Sequence, residues 1–287
     1  MTVTVHSYTH FLERHILYRT EKPYTLRFTP PQGFSRANIK LERHDIFIRD
    51  IRGVQQQPSY ERDGVAIVAL DTKMKYDDFD VEQKIKDVYL VEVVDLLKSV
   101  LQAQHVQIFE HTVRKQHEIF PISTGELYKY NQPTSIAHID TTSRWALNMA
   151  AHLNPGRINQ IKQHPVQCVN FWKPITGPVR QWPLALCSAA SLCPDRDCEP
   201  CDLVYPDYVV ENRQVYYSSE LDWLYLSEQM PNEAWMFLQS DTTNKVDPVV
   251  HTAFPLPGKD SESSEGRESI EVRALVYYGG FEDLDSG

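Results

Sequence analysis

The chain has 287 residues, of which 41% are apolar and 24% charged, and its formal net charge is −10 at pH 7. This length suits one large globular domain, or two that are tightly joined. Binding to a long phosphate backbone is driven by clustered cations, and no run of Lys and Arg in this chain exceeds two residues. A nucleic-acid partner is therefore not expected.

The sequence contains no stretch that approaches the roughly 20 apolar residues of a membrane span, and its first residues lack the apolar core of a signal peptide. We therefore expect a cytoplasmic protein without a membrane partner. The five cysteines are an odd number, and a disulfide framework is not expected in a reducing compartment. The 15 Tyr and 5 Trp residues favour a β-rich fold.

The first 79 residues are typical of short strands separated by turns, with strands predicted at 24–29, 45–51 and 64–70. They predict a β-rich N-terminal extension that covers one side of the core. Between 80 and 104 the apolar residues recur at helical spacing instead. This segment predicts a long helix packed against a sheet, and residues 80–287 would comprise that helix and the core of a single domain.

Short strands dominate the rest of the chain. We predict them at 105–113, around His138, and at 166–172, 214–219, 223–227, 235–239, 249–254 and 268–278. The strands at 214–219, 223–227 and 235–239 are interpreted as a meander. A second helix is predicted at 144–153, a loop at 120–133, a Ser/Glu-rich connection at 259–265 and an acidic tail at 279–287. Many strands without βαβ alternation favour an antiparallel double sheet or barrel.

Four cysteines lie close together in the sequence: Cys187, Cys193, Cys198 and Cys201. Such a cluster resembles a structural zinc loop, but only Cys198 and Cys201 have the usual spacing. We favour reduced thiols over a zinc site.

His138 and Asp140 are two residues apart, so both side chains lie on the same face if the segment is extended. Together with a second imidazole, supplied downstream by His251, they make the ligand set that binds non-haem Fe(II) on one face and leaves other positions open. With 11 His and 39 acidic residues in the chain, a single His-x-Asp also arises by chance. The alternative is an ordinary surface pair.

The final strand carries Arg267, Ser269, Glu271 and Arg273 at one parity, which places all four on one face. Two inward guanidinium groups are costly to bury without anions. A dicarboxylate co-substrate would pair with them in bidentate fashion. Alternatively, Glu271 pairs with one arginine in a structural network.

The order His138-x-Asp140, then His251, then Arg267-x-Ser269 resembles that of the 2-oxoglutarate-dependent oxygenases, which fold as a double-stranded β-helix (jelly roll, cupin-like). The run Arg-Glu-Ser-Ile-Glu-Val-Arg at 267–273 is similar to that of the gibberellin desaturase and cephamycin methoxylation group, and this similarity extends from about residue 45 onward.

The resemblance implies roles for individual residues. His138, Asp140 and His251 would bind Fe(II), which would react with O₂. Arg267 with Ser269 would hold the distal carboxylate of 2-oxoglutarate, and Arg273 the carboxylate that chelates iron, although the two arginines could exchange roles. Asn170 would donate to a bound carboxylate. Three further residues are candidates for contact with the organic substrate: Arg114, Trp172 and Phe254.

The function implied is oxidation of a small-molecule secondary metabolite by hydroxylation, desaturation or cyclisation. Two alternatives stay open: a nucleic-acid or protein demethylase of the same fold, and a non-catalytic β-barrel that binds a metal or ligand. A homodimer is compatible with the sequence, which does not determine the oligomeric state.

Overall fold

The computed structural model describes residues 3–122, 128–258 and 266–281. The predicted connection at 259–265, the end of the acidic tail at 282–287 and residues 123–127 of the predicted loop lie outside the described residues. In the part of the chain that is described, no helix has the length and apolar composition needed to cross a membrane.

Strands account for most of the regular structure, as the composition predicted. In chain order they are β1 (Thr4–Leu12), β2 (Tyr24–Leu26), β3 (Leu41–Asp50), β4 (Val65–Ala69), β5 (His105–Lys115), β6 (His138–Ile139), β7 (Val166–Pro174), β8 (Leu184–Cys187), β9 (Cys198–Val204), β10 (Val209–Val215), β11 (Trp223–Tyr225), β12 (Glu233–Asp241), β13 (His251–Ala253) and β14 (Glu268–Tyr277).

Among the described residues these strands form two sheets. The large sheet has nine strands in the order β1-β3-β11-β8-β13-β6-β10-β9-β2, and the small sheet has five in the order β4-β12-β7-β14-β5. From β5 to β8, and again from β11 to β14, successive strands alternate between the two sheets. This alternation is the double-stranded β-helix, so the predicted fold class is confirmed.

The helices are few. They are α1 (Tyr60–Asp63), α2 (Glu82–Lys84), α3 (Leu90–Leu101), α4 (Ser143–Leu153), α5 (Ile158–Ile161) and α6 (Pro194–Asp197), with a π-helical turn at Ile85–Tyr89 and 3-10 turns at Ile16–Arg19, Tyr76–Asp80 and Ala189–Ser191. The helix predicted at 80–104 is therefore α2, the π turn and α3 in succession. α3 buries Val93 and Leu97 in the same apolar cluster as Val169 and Phe171 of β7.

Two features of the predicted topology differ from the structure. The meander is wrong: β10 pairs with β6 and β9, and β11 with β3 and β8, whereas β12 lies in the small sheet between β4 and β7. β10 and β11 lie apart in the large sheet and β12 crosses to the small one, which periodicity cannot reveal. The N-terminal strands also do more than cover one side, because β1 and β3 extend the large sheet and β4 forms an edge of the small one.

All five cysteines are free thiols. Burial raises the pKa of Cys187, Cys198 and Cys201 to about 12. Within the described residues the cysteines do not come together with other ligands at metal-binding distance, and the group that does is His138, Asp140 and His251. The zinc alternative therefore has no support from this cluster.

A buried carboxylate, Glu211 of β10, fixes the turn that follows Asp140. It accepts hydrogen bonds from Thr142 Oγ1 at 2.7 Å and Lys22 Nζ at 2.5 Å, and it pairs with Arg144. Burial opposes ionisation of Glu211, but the donors from Lys22, Thr142 and Arg144 outweigh it and lower its pKa to about 2. A carboxyl whose pKa falls on folding stabilises the fold above its unfolded pKa.

We therefore expect Glu211→Gln to lower the free energy of unfolding at pH 6 by up to about 3 kcal/mol. This difference should shrink to about two fifths of that value at pH 3, because the unfolded carboxyl is then protonated while the folded one is still largely ionised. Urea denaturation of both proteins at pH 6, 4 and 3 measures it. A difference that stays constant across this range would show that the charge of Glu211 is not its source.

Candidate metal centre

The structure brings His138, Asp140 and His251 together. His138 begins β6 and lies directly opposite His251 of β13, while Asp140 follows β6 immediately. His138 Nε2 lies 3.5 Å from Asp140 Oδ1, and His251 Nε2 lies 3.5 Å from Asp140 Oδ2. The three ligand atoms are all within 4.8 Å of one another. Two imidazoles and one carboxylate at this spacing can hold one ion, and they occupy one face of it.

Both imidazoles direct Nε2 at Asp140, the atom through which each would bind a metal. His138 Nδ1 lies 2.7 Å from the carbonyl oxygen of Ile136 and donates to it, which fixes the orientation of the ring. Burial, followed by repulsion from His138, lowers the pKa of His251 to about 4. His251 is therefore uncharged at neutral pH.

Three side chains from the small sheet form hydrogen bonds with Asp140. Asn170 Nδ2 donates to Oδ2 at 2.6 Å, Arg273 Nη2 donates to Oδ1 at 2.9 Å, and the backbone N–H of Asp140 donates to Gln239 Oε1 at 2.6 Å. Burial alone would raise the pKa of Asp140, but Arg273 and the two imidazoles hold it well below its usual range. The ligand is therefore ionised and fixed in orientation before a metal binds.

Arg273 contacts three carboxylates: Asp140 at 2.9 Å, Glu110 at 2.8 Å and Glu271 at 2.8 Å. Sheet register explains this arrangement, because β14 places Arg273 directly opposite Glu110 of β5 and Asn170 of β7. Arg273 and Asn170 both contact the metal ligand Asp140, and the pairing of Arg273 with Glu271 matches the alternative in which Glu271 pairs with one arginine. The predicted roles of Arg273 and Asn170 toward a co-substrate carboxylate stay predictions.

Arg267 and Ser269, at the start of the same strand, lie in a different setting. Arg267 is only 4% exposed and Ser269 is fully buried. Arg267 Nη1 donates to the carbonyl oxygen of Trp182 at 2.7 Å, and its guanidinium carbon lies 5.5 Å from the centre of the Trp172 ring. Within the described residues, neither Arg267 Nε nor Ser269 Oγ has a hydrogen-bond partner.

A small cavity joins these groups to the metal ligands. We call it the Arg267 cavity; its lining residues are Arg114, Thr134, His138, Trp172, Leu184, His251, Thr252, Ala253, Arg267 and Glu271. Among the residues that the structure describes, Arg267 has no carboxylate within ion-pair distance and the Ser269 hydroxyl has no hydrogen-bond partner, and these groups fit the distal carboxylate of 2-oxoglutarate. The volume of about 20 Å³ is room for one or two water molecules, so the lining side chains must move apart to admit the co-substrate.

The three predicted substrate contacts have different environments. Arg114 lies opposite Ser269 on β5, donates to the carbonyl oxygen of Gln132 at 2.8 Å and lines the Arg267 cavity, as does Trp172. Phe254 does not line it. Its ring is completely buried and packs edge-on against Tyr225 at 5.4 Å, which makes it a core residue.

Sequence reasoning missed three residues of the centre: Gln239, Trp182 and Glu110. Gln239 is fully buried on β12, and nothing in the sequence distinguishes its carboxamide from others. Trp182 contributes a backbone carbonyl, which any residue type supplies. The sequence does indicate that Glu110 lies on the same face of β5 as Arg114. It does not indicate that Glu110 pairs with Arg273, because that pairing depends on the register between β5 and β14.

Comparison with known proteins agrees with this geometry. A family model described as "Oxidoreductase/YMDC permease-like domain" matches residues 10–277. The α-ketoglutarate-dependent dioxygenase tstK of Talaromyces stipitatus is 32% identical over 263 residues, which cover 87% of this chain and 92% of the relative. The Fe(II)/2-oxoglutarate-dependent dioxygenase nvfI of Aspergillus novofumigatus is 27% identical over 269 residues, which cover 91% and 92% of the two chains.

A solved structure shows the same fold. The iron and α-ketoglutarate-dependent endoperoxidase NvfI superposes with a TM-score of 0.83 at 24% identity and covers 96% of this chain and 98% of its own. α-Ketoglutarate is another name for 2-oxoglutarate. The chain belongs to the family of Fe(II)/2-oxoglutarate-dependent dioxygenases that these fungal enzymes represent.

Proposed function

We propose that this dioxygenase oxidises an unactivated C–H bond of a small-molecule secondary metabolite, by hydroxylation, desaturation or ring closure. The observation that carries the proposal is the convergence of His138, Asp140 and His251 within 4.8 Å beside the buried guanidinium of Arg267. Relatives named hydroxylase/desaturase, such as poxK of Penicillium oxalicum (27% identical over 293 residues, 90% of this chain and 87% of the relative), support this range of outcomes. The motif at 267–273 further supports kinship with the gibberellin desaturase and cephamycin methoxylation group.

Each residue of the centre has a role in this proposal. Fe(II), 2-oxoglutarate and O₂ together supply the oxidising power when bound. His138, Asp140 and His251 hold the ion on one face, and Asn170, Gln239 and Arg273 keep Asp140 ionised and oriented.

The co-substrate residues lie along the Arg267 cavity. Arg267 and Ser269 bind the distal carboxylate, and Arg114 adds a second cation beside it. Trp172 covers the guanidinium of Arg267 and excludes water, which strengthens the ion pair.

The alternatives are less well supported. A nucleic-acid demethylase needs a cationic surface for its substrate, whereas this chain has a net charge of −10. An inert barrel has no reason to bury an arginine beside a complete set of iron ligands. We also propose that the whole chain forms one oxygenase domain.

The proposal is tested by incubating the purified protein anaerobically with Fe(II) and 2-oxoglutarate, admitting O₂ and measuring succinate. Formation of succinate that requires Fe(II) is expected, and its absence would favour the inert barrel. Retention of the protein on immobilised DNA or RNA at low salt, released as salt rises, would support the demethylase instead.

A further inference from the structure

Two carboxamides lie beside the metal ligands, on the side away from the Arg267 cavity. β6 has two neighbours in the large sheet: β13, which carries His251, and β10. On β10, Gln214 is directly opposite His138. Opposed residues of antiparallel strands project to the same face with Cβ atoms roughly 4.5–5.5 Å apart, and Asn212, two residues before Gln214 on the same strand, shares its face. Both carboxamides therefore lie on the ligand-bearing face, and Gln214 flanks the iron ligand His138.

Both carboxamides are buried without being satisfied. Asn212 is 4% exposed and Gln214 is 6% exposed. Asn212 Oδ1 and Gln214 Oε1 have no hydrogen-bond partner in the part of the chain that the structure describes. By contrast, the carboxamide of Gln239 donates to two carbonyl oxygens and accepts from Asp140. Leaving an amide oxygen buried and unpaired costs free energy that a bound ligand would recover.

The Arg267 cavity, where the co-substrate would bind, lies apart from Asn212 and Gln214. That cavity is lined from β13 by His251, Thr252 and Ala253, and neither Asn212 nor Gln214 is among its lining residues. In the proposed function the co-substrate occupies this cavity, on the β13 side of β6. That placement leaves the β10 side of β6 for the molecule that is oxidised.

The chemistry of the pair indicates what it binds. An amide oxygen accepts from a hydroxyl, and the amide N–H groups donate to a hydroxyl or carbonyl oxygen. Neither group is charged, so the pair gives no ion-pair preference for an acidic or basic substrate. A neutral molecule with a hydroxyl near the carbon to be oxidised satisfies both groups.

We propose that Asn212 and Gln214 form a hydroxyl-binding site that orients a neutral, hydroxylated substrate toward iron. The inference rests on the proposed function, because it takes the iron centre as the reacting group. It adds the chemical class of the substrate and two residues that determine specificity.

The experiment compares cyclohexanol with cyclohexane, which differ by one hydroxyl group. Each is titrated into the anaerobic protein loaded with Fe(II) and 2-oxoglutarate, and binding is read from the change in the visible charge-transfer absorption of the iron–2-oxoglutarate complex. The wild-type protein should bind the alcohol about tenfold more tightly than the hydrocarbon, the gain expected from one or two net hydrogen bonds. Asn212→Leu/Gln214→Leu should lose this preference and bind cyclohexane at least as well as the wild type.

A matched control is Cys201→Ala. Cys201 is buried and lies opposite Asn212 on β9, one strand further from the metal ligands. The substitution therefore disturbs the packing beside Asn212 without removing a carboxamide. This variant should keep the preference for the alcohol. Thermal unfolding curves show whether the double variant folds. If it does not, the same titrations are made with the single variants Asn212→Leu and Gln214→Leu.

The outcomes separate the two proposals. Equal affinity for both compounds in the wild type, or a preference retained without the amides, overturns the hydroxyl site. Failure of the wild-type protein to develop the charge-transfer absorption with Fe(II) and 2-oxoglutarate contradicts the proposed function instead.

Discussion

Asp140→Asn is expected to abolish Fe(II)-dependent succinate formation, with a loss of at least a hundredfold. The substitution keeps the shape of the side chain but removes the only anionic ligand, and it leaves Arg273 facing a neutral amide instead of a carboxylate at 2.9 Å. Arg273 keeps its contacts with Glu110 and Glu271, so the main loss is the negative charge that binds Fe(II), and iron affinity should fall together with activity. Anaerobic titration with Fe(II) and chromatographic measurement of succinate check both effects.

Arg273→Gln provides a graded comparison. This arginine contacts Asp140 without being a ligand, and loss of such an outer contact typically weakens metal binding by about 10- to 100-fold. Added Fe(II) should therefore restore activity to Arg273→Gln but not to Asp140→Asn. Full iron affinity in Asp140→Asn would contradict the assignment of the carboxylate as a ligand.

Arg267→Gln is expected to raise the KM for 2-oxoglutarate by about a hundredfold. The guanidinium is the buried cation of the cavity, and removal of one partner of a buried charge pair costs roughly 2–5 kcal/mol. The substitution also removes a buried cation that lacks a carboxylate partner, and burial, with repulsion from Arg114, lowers the pKa of Arg267 to about 9. The free energy of unfolding without co-substrate should therefore stay the same or increase.

Steady-state assays at varied 2-oxoglutarate and urea denaturation measure these two effects. Arg180→Gln is the matched control, because Arg180 is about half exposed and pairs at the surface with Glu228. It should change neither quantity appreciably. An unchanged KM in Arg267→Gln would show that the distal carboxylate binds elsewhere.

Two of the metal ligands could be predicted from a local signal, and the third from the order of motifs that the family shares. His138 and Asp140 need only an extended backbone to share a face, and His251 follows from the order of motifs. The roles of Arg267 and Arg273 could not be separated in the same way, since parity places both on one face of β14 and only strand register shows what each one meets. Register puts Arg273 opposite Glu110 and Asn170, and no periodicity in a single strand contains that information.

Tertiary packing decided the other differences. Phe254 has the parity expected of a residue near the metal, yet its ring packs in the core with Tyr225. The strand predicted at 235–239 has the correct type, but as β12 it pairs with β4 and β7 rather than with its neighbour in sequence. Alternation between polar and apolar residues specifies a strand and its buried face, and it leaves the choice of partner strand to the fold.

The pairing of β10 with β6 has an evolutionary consequence. The segment that contains β9 and β10 lies between β8 and β11 in sequence, yet it joins the large sheet beside the strand that carries His138. Replacements in this hairpin could remodel the surroundings of the reacting carbon while β13 and β14, which carry His251 and Arg267–Ser269 at their N-terminal ends, stay intact. Members of the family could thereby acquire new substrates while the oxidation chemistry is inherited unchanged.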